Sequence, residues 1–330
     1  LLAHAEKVLA ANSGWKSDFP QAISPYLGVP WLEAIIGCSI RVRQDKFWAE
    51  PSTAPYELLL GLKFDPENKW LRRLLVLHQE LVWYAGRHFF PVSLPLMSGP
   101  LDLIVAWRGP EQLRFDLLER PNLVKEAVGK LSKLWLKVAQ LLMKMTPPFA
   151  DGWFTRMNIF MPWRAATLQV DTGSFLSAQV YREFGLPFDQ ALVVSIPGQT
   201  YHTHSTAAHL LPMISRLKYL RCLEITIDPY GPSRDELKPI IEDCQKRVPI
   251  MLAVWNEADF RWAAQTFQPG GLAVVLIKME LDGKVEYEQL LREVLPGGNK
   301  DVIRDDDGTA EIITGRFCFS SPLVLAGMIL

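Results

Sequence analysis

Leu220-Arg221-Cys222-Leu223-Glu224-Ile225-Thr226-Ile227 runs directly into Asp228-Pro229. An apolar, partly β-branched run that stops at a polar turn reads as a buried strand with its C-terminal end at the turn. Working outward, the same pattern recurs in Ile250 to Trp255 before Asn256-Glu257 and in Leu272 to Ile277. Upstream it recurs in Leu192 to Ile196, in Ala166 to Asp171, and in Phe89 to Met97 before Ser98-Gly99-Pro100. Longer amphipathic runs separate these segments. Strands alternating with helices predict a parallel sheet wrapped by helices.

The helix after Pro121 is the plainest of the intervening runs. Proline suits a first helical turn, where its missing N–H would have no partner. Leu123, Val124, Ala127, Leu131, Leu134, Trp135, Val138, Leu141 and Leu142 then recur at helical spacing, up to Pro147-Pro148. Near the end of the sequence, Asp305-Asp306-Asp307-Gly308 between two apolar pairs reads as a hairpin turn.

At 330 residues the chain is long for one domain, yet α/β barrels reach this size. No repeat or low-complexity linker divides it. The reading is therefore a single domain over 1–330: an N-terminal region with the first barrel elements (1–88), a core (89–277), and a C-terminal helix and tail (278–330). Lys plus Arg, 35, nearly equals Asp plus Glu, 36, so the basic field of a nucleic-acid binder is absent. Four scattered cysteines, Cys38, Cys222, Cys244 and Cys318, make no disulfide framework. No apolar run reaches the ~18 residues of a membrane span, and nothing at Leu1 reads as a signal peptide. A cytoplasmic protein without a membrane or nucleic-acid partner is expected.

Three stretches carry a family resemblance. Leu96-Met97-Ser98-Gly99-Pro100-Leu101-Asp102, with Trp107-Arg108-Gly109 and Asp116 to Pro121, is similar to a strand, Gly-Pro turn, Arg-Gly step and helix entry. Leu168-Gln169-Val170-Asp171, with Phe175 to Phe184 and Leu186-Pro187, is similar to a Q-x-D segment and the helix after it; Ala178 stands where proline is usual, and Ser177 is the expected N-cap. Tyr201-His202-Thr203-His204-Ser205 is similar to an H-x-C-G or H-x-D-G strand end. Together, over roughly residues 30 to 277, these resemble the uroporphyrinogen decarboxylase and corrinoid methyltransferase superfamily. Glu50, in Phe47-Trp48-Ala49-Glu50-Pro51, also resembles a W-x-E-P segment of some branches. The decarboxylases' own RQAGRY and FSDIL segments do not occur.

The resemblance implies a (β/α)8 TIM barrel with its chemistry at the C-terminal mouth. It implies a methyltransferase with zinc, moving a methyl group to or from a corrinoid on a separate protein that docks over the mouth. No cobalamin-binding D-x-H-x-x-G segment occurs in this chain. In the methyltransferase branch the His and Cys of the third motif bind zinc; here the corresponding positions are His202 and His204. A small-molecule substrate is implied, and a homodimer is a further candidate assembly.

The residues themselves leave alternatives open. His202 and His204 are two apart, so on a strand they face the same side and can share a metal or simply line a pocket. The third ligand is sought at other strand ends, in Asp228 or Glu257, with Cys38 an outside choice. Glu257 completes the expected metal set, and Asp228 is expected at the substrate. Asp171 either serves as an inward carboxylate for substrate positioning or acid/base work, with Glu50 beside it, or caps the helix near Ser174. Gln169, Trp48 and Arg164 are the further substrate-binding candidates; Arg164 reads equally as a surface ion pair, and Trp163 or Trp255 as an alternative stacking surface. Arg108 is expected to anchor the loop after Gly99-Pro100. His88 is placed at a strand start, and His4 and His78 on surface helices. Two rival functions remain: a metal-free decarboxylase acting on a tetrapyrrole or other carboxylic acid, and a non-catalytic tetrapyrrole or small-molecule binder.

Overall fold

The computed structural model describes residues 1–12, 20–43, 46–277 and 316–320. Helices α1 (Leu2–Asn12) and α2 (Trp31–Ile36) precede a hairpin of β1 (Ser39–Arg43) and β2 (Lys46–Glu50). Helices α3 (Tyr56–Gly61), α4 (Lys69–His88), α5 (Pro100–Arg108), α6 (Pro110–Glu119) and α7 (Pro121–Met145) follow. A short hairpin of β3 (Trp153–Phe154) and β4 (Phe160–Met161) leads to β5 (Ala165–Gln169). Helices α8 (Ala178–Phe184) and α9 (Leu186–Ser195) then lead to β6 (Gly198–His204), and α10 (Leu211–Ile214) to β7 (Cys222–Thr226). The rest is α11 (Arg234–Gln245), β8 (Ile250–Val254), α12 (Glu257–Thr266), β9 (Leu272–Ile277) and β10 (Arg316–Ser320).

Strands β5 to β10 form one parallel sheet whose spatial order follows chain order without reversal. The α/β class and the parallel sheet expected from the sequence are present. A closed ring of eight strands is not: the described sheet has six strands. Phe89 to Met97, expected as a strand, is not one: Phe89 caps α4, and the buried residues 90–97 make one parallel bridge, Ile23 to Val92. Leu192 to Ile196, also expected as a strand, ends helix α9 instead. Gly185-Leu186-Pro187 starts a helix there, and packing of Leu192 and Val193 overrides the β-propensity of the run. His88 closes helix α4 rather than opening a strand, and His78 in the same helix is fully buried, not a surface residue. The Asp305–Gly308 hairpin and the expected C-terminal helix lie outside the described residues.

Alternation along the strands gives the sheet two different faces. Leu168, Leu223, Ile225, Leu252 and Val274 face the helices in the main core. On the other face, Ala165, Cys222, Met251 and Val275 pack against Met157, Ile159 and Met161 around the β3–β4 hairpin. That inner face is apolar where the strands begin. It becomes polar where they end, at Gln169, His202, His204, Glu224 and Thr226.

The expected α7 stripe is real: Val124, Ala127, Leu131, Trp135, Val138 and Leu142 are buried. Truncating a buried Trp135 would cost about 3–5 kcal/mol. Ser177 caps α8 as expected, its hydroxyl accepting from the Val180 N–H at 3.2 Å. Arg108 is an anchor, but not of a loop after Gly99-Pro100, where α5 begins at once: its guanidinium donates to both oxygens of buried Asp116 on α6 and to the Thr53 and Ala54 carbonyls ahead of α3.

Candidate metal centre

Three strand ends build the site. In the β5–β6 register Gln169 lies opposite His202, and in the β6–β7 register His202 lies opposite Glu224 and His204 opposite Thr226. Two residues past Gln169 the chain enters a 3-10 turn, Asp171–Phe175. That turn is pinned from the neighbouring helix. Asp102, on the first turn of α5, accepts the Asp171 and Thr172 N–H groups at 3.3 and 2.9 Å, and the Gly99 N–H at 3.1 Å. The Gly-Pro motif thus holds Asp171 in place.

Each imidazole has one nitrogen tied to a carboxylate. His202 Nδ1 bonds to buried Glu224, whose other oxygen accepts from the Thr226 hydroxyl at 3.0 Å. His204 Nδ1 bonds to Asp228 at 2.7 Å. Asp228 in turn accepts from Ser205, the Thr206 N–H and the Thr206 hydroxyl. The two Nε2 atoms turn the other way, towards one oxygen: Asp171 Oδ1 lies 3.7 Å from His202 and 3.9 Å from His204. The Gln169 amide donates to the other, Oδ2, at 2.9 Å.

Asp171, His202 and His204 each offer one donor atom, all within 4.8 Å of one another. Two ligands at ~2.1 Å on a tetrahedral zinc stand roughly 3.4 Å apart, so seating an ion would take side-chain movements that close the widest pair by up to about 1.4 Å. Metal-binding histidines characteristically donate their second nitrogen to a carboxylate, which fixes tautomer and ring orientation. Both histidines here do so. The residues present fit a divalent ion.

The charges are concentrated at this rim. Burial works against a charged His204, but Asp228, Asp171 and Glu224 outweigh it and hold the imidazole up at about 9. Burial also works against a charged Asp228, yet its bonds from His204, Thr206 and Ser205 hold it below the ordinary carboxylate value. Asp102 is pushed up to about 7 by burial and then by the facing charge of Asp171, against the pull of its backbone donors. Glu33, buried on α2 and bonded by the Ser98 hydroxyl, is raised by burial, with Asp171 adding to the rise.

Of the residues singled out in the sequence, Asp171, His202, His204, Gln169 and Asp228 come together. The others do not. Glu257 begins α12 and ion-pairs with Arg261 on its own helix at 2.8 Å. Glu50 and Trp48 lie on the β1–β2 hairpin, where Glu50 pairs with Arg41 at 2.8 Å. Arg164 is exposed at the start of β5, a five-residue strand, so roughly 16 Å of strand separates it from the mouth. Cys38 is buried, its thiol donating to the Ala106 carbonyl and raised to about 12 by burial. Three participants were missed in the sequence: Glu224, Asp102 and Glu33. For Glu224 a signal was available, since a lone acid within an apolar strand has to find a buried partner.

No protein-family model and no curated protein matches the chain. Among solved structures, the fold is similar to that of a methyltransferase from Methanosarcina mazei. The TM-score is 0.55 at 12% sequence identity, over 74% of this chain and 70% of that one. At that identity the likeness is one of fold. No described helix is long and apolar enough to cross a membrane.

Proposed function

We propose that the protein is a methyltransferase that moves a methyl group to or from a corrinoid carried by a separate protein, with zinc held by Asp171, His202 and His204. The mouth of an eight-stranded barrel is the proposed setting. Six parallel strands in chain order supply most of the wall. The segments around Ile23 and Val92, joined by one parallel bridge, would supply two further staves. Gly99 closes against β5, where a Cβ would meet the Gln169 carbonyl oxygen at 2.0 Å.

One observation carries the site: both imidazoles are tied at Nδ1 to a carboxylate and face the same Asp171 oxygen with Nε2. Zinc held by Asp171, His202 and His204 would supply a Lewis acid able to keep an incoming thiol as the nucleophilic thiolate. The chain's own residues do the rest. Glu224 and Asp228 keep the Nδ1 protons and orient both rings. Gln169 occupies one Asp171 oxygen and leaves the other free, while its own Oε1 is buried without a partner among the described residues and so can accept from substrate. The fold likeness to a methyltransferase supports the reaction class.

Elemental analysis of wild type beside Asp171→Asn, His202→Ala and His204→Ala tests the centre. Near-stoichiometric zinc in wild type and its loss in each variant are expected. The zinc-loaded protein should then convert methylcobalamin and a small thiol to cob(I)alamin and the methyl thioether. Zinc that survives the substitutions would remove the centre; a loaded protein that leaves methylcobalamin intact would remove the reaction.

A further inference from the structure

A second feature lies on the outer, helical side, where α2, α3 and α7 enclose a cavity of about 460 Å³. Its wall is apolar, with Ile36 from α2, Leu59 from α3, and Leu131 and Leu134 from α7. Lys63, Lys130, Lys133 and Lys137 also line it, against a single acid, Asp65. A volume of this size lies within the ~300–1,000 Å³ of small-molecule sites.

The lysines form a cluster of one sign around the cavity. On α11 and α12 cations pair with acids four residues away, Lys238 with Glu242 and Arg261 with Glu257, and Arg247 just past α11 pairs with Asp243. On α7, Lys130 and Lys133 are three apart, and Lys133 and Lys137 four apart. Like charges at those spacings destabilise a helix by a few tenths of a kcal/mol. Among the described residues, no carboxylate lies within ion-pair distance of any of the four. Lys137 rests instead over the Phe64 ring, 5.0 Å from its centroid. Asp65, the one acid in the lining, accepts the Glu67 N–H and leaves three of the four positive charges without a counter-charge in the lining. The cavity thus combines an apolar interior with unmatched positive charge in a chain whose net charge is −1.

We propose that this cavity binds an amphipathic anion, an apolar chain lying against Leu59, Leu131 and Leu134 with a carboxylate or phosphate head among the lysines. Dodecanoate, dodecyl phosphate, dodecyltrimethylammonium and inorganic phosphate, each titrated calorimetrically into the full chain below micelle concentration, test it. Saturable binding of at least one of the two anionic amphiphiles is expected, and the tighter of them identifies the head group. The Lys130→Glu/Lys133→Glu/Lys137→Glu variant should weaken that binding at least tenfold. Two of the three lysines are exposed and the third is half-buried, so the variant should keep the wild-type circular dichroism spectrum. Inorganic phosphate alone should bind at least a hundredfold more weakly. Equal uptake of the cationic amphiphile, undiminished affinity in the triple variant, or no saturable binding by either anion would each overturn the proposal.

Discussion

Glu224 on β7 lies directly opposite His202 on β6, and its carboxylate accepts the imidazole Nδ1–H. Both side chains are almost wholly buried. A charge placed there needs a partner, and the partner fixes which imidazole nitrogen faces the site.

Replacing Glu224 by Gln keeps shape and an acceptor but removes the charge that holds the Nδ1 proton. Outer-shell partners of this kind are worth 10- to 100-fold in metal affinity, so Glu224→Gln should weaken zinc binding by about that factor. Chelator competition reads it. Unchanged affinity would mean that Glu224 serves folding alone.

Glu257 was the acid expected from the sequence to complete the metal set. Its carboxylate is over half exposed and engaged with Arg261. Glu257→Gln should therefore leave zinc content unchanged and alter stability by no more than about 0.5 kcal/mol, the scale of an exposed i,i+4 pair. Loss of zinc in this variant would transfer the ligand role from Asp171 to Glu257.

The contrast between Asp171 and Glu257 shows what was legible. The histidine pair is local: two residues apart on one strand, it declares a shared face without knowledge of the fold. Asp171 was marked by its place at a strand end, but its distance to the histidines depends on the β5–β6 register. Glu224 depends likewise on the β6–β7 register. Local pattern says nothing of register, so the partners of the histidines stayed hidden. The strands were legible where an apolar run stops at a polar turn, as in β7 and β8; β6, polar along one face from Thr200 to His204, shows no such run. Leu192 to Ile196 misled because a short β-branched run reads alike at a helix end and in a strand.

His78 should make stability depend on acid. Its Nε2 bonds to the Thr146 hydroxyl at 2.8 Å, while Nδ1 is buried without a partner among the described residues. Burial lowers the imidazole from 6.5 to about 4. A group that binds its proton more weakly when folded favours unfolding in acid: its full contribution is present above about pH 6.5 and is lost as pH falls towards 4. At pH 4.5 this linkage amounts to about 2–3 kcal/mol. Urea melts of wild type and His78→Leu at pH 7 and pH 4.5 should differ by that much in acid sensitivity. Equal losses in the two proteins would exclude His78 as the source.

Gly99 should tolerate no side chain, for reasons of space rather than conformation. Its φ of −66° and ψ of 167° suit any residue. An added Cβ, however, would stand 2.0 Å from the Gln169 carbonyl oxygen and 3.2 Å from its carbon. Both are backbone atoms, so no rotamer relieves the clash, and either α5 or β5 has to move. Such overpacking costs typically about 1–3 kcal/mol and sometimes more. The displacement would also reach the proposed metal ligand Asp171, because Asp102 grips the Gly99 N–H and the Asp171 N–H with the same oxygen. Gly99→Ala is therefore expected to lower both the unfolding midpoint and zinc affinity. Gly86→Ala is the control: it lies inside α4, where a Cβ meets nothing within 4 Å. That change should raise stability by up to about 1 kcal/mol and leave zinc untouched. If Gly99→Ala instead folds with wild-type stability and wild-type zinc affinity, the Gly-Pro turn does not press against β5 and cannot be what holds Asp171 in place.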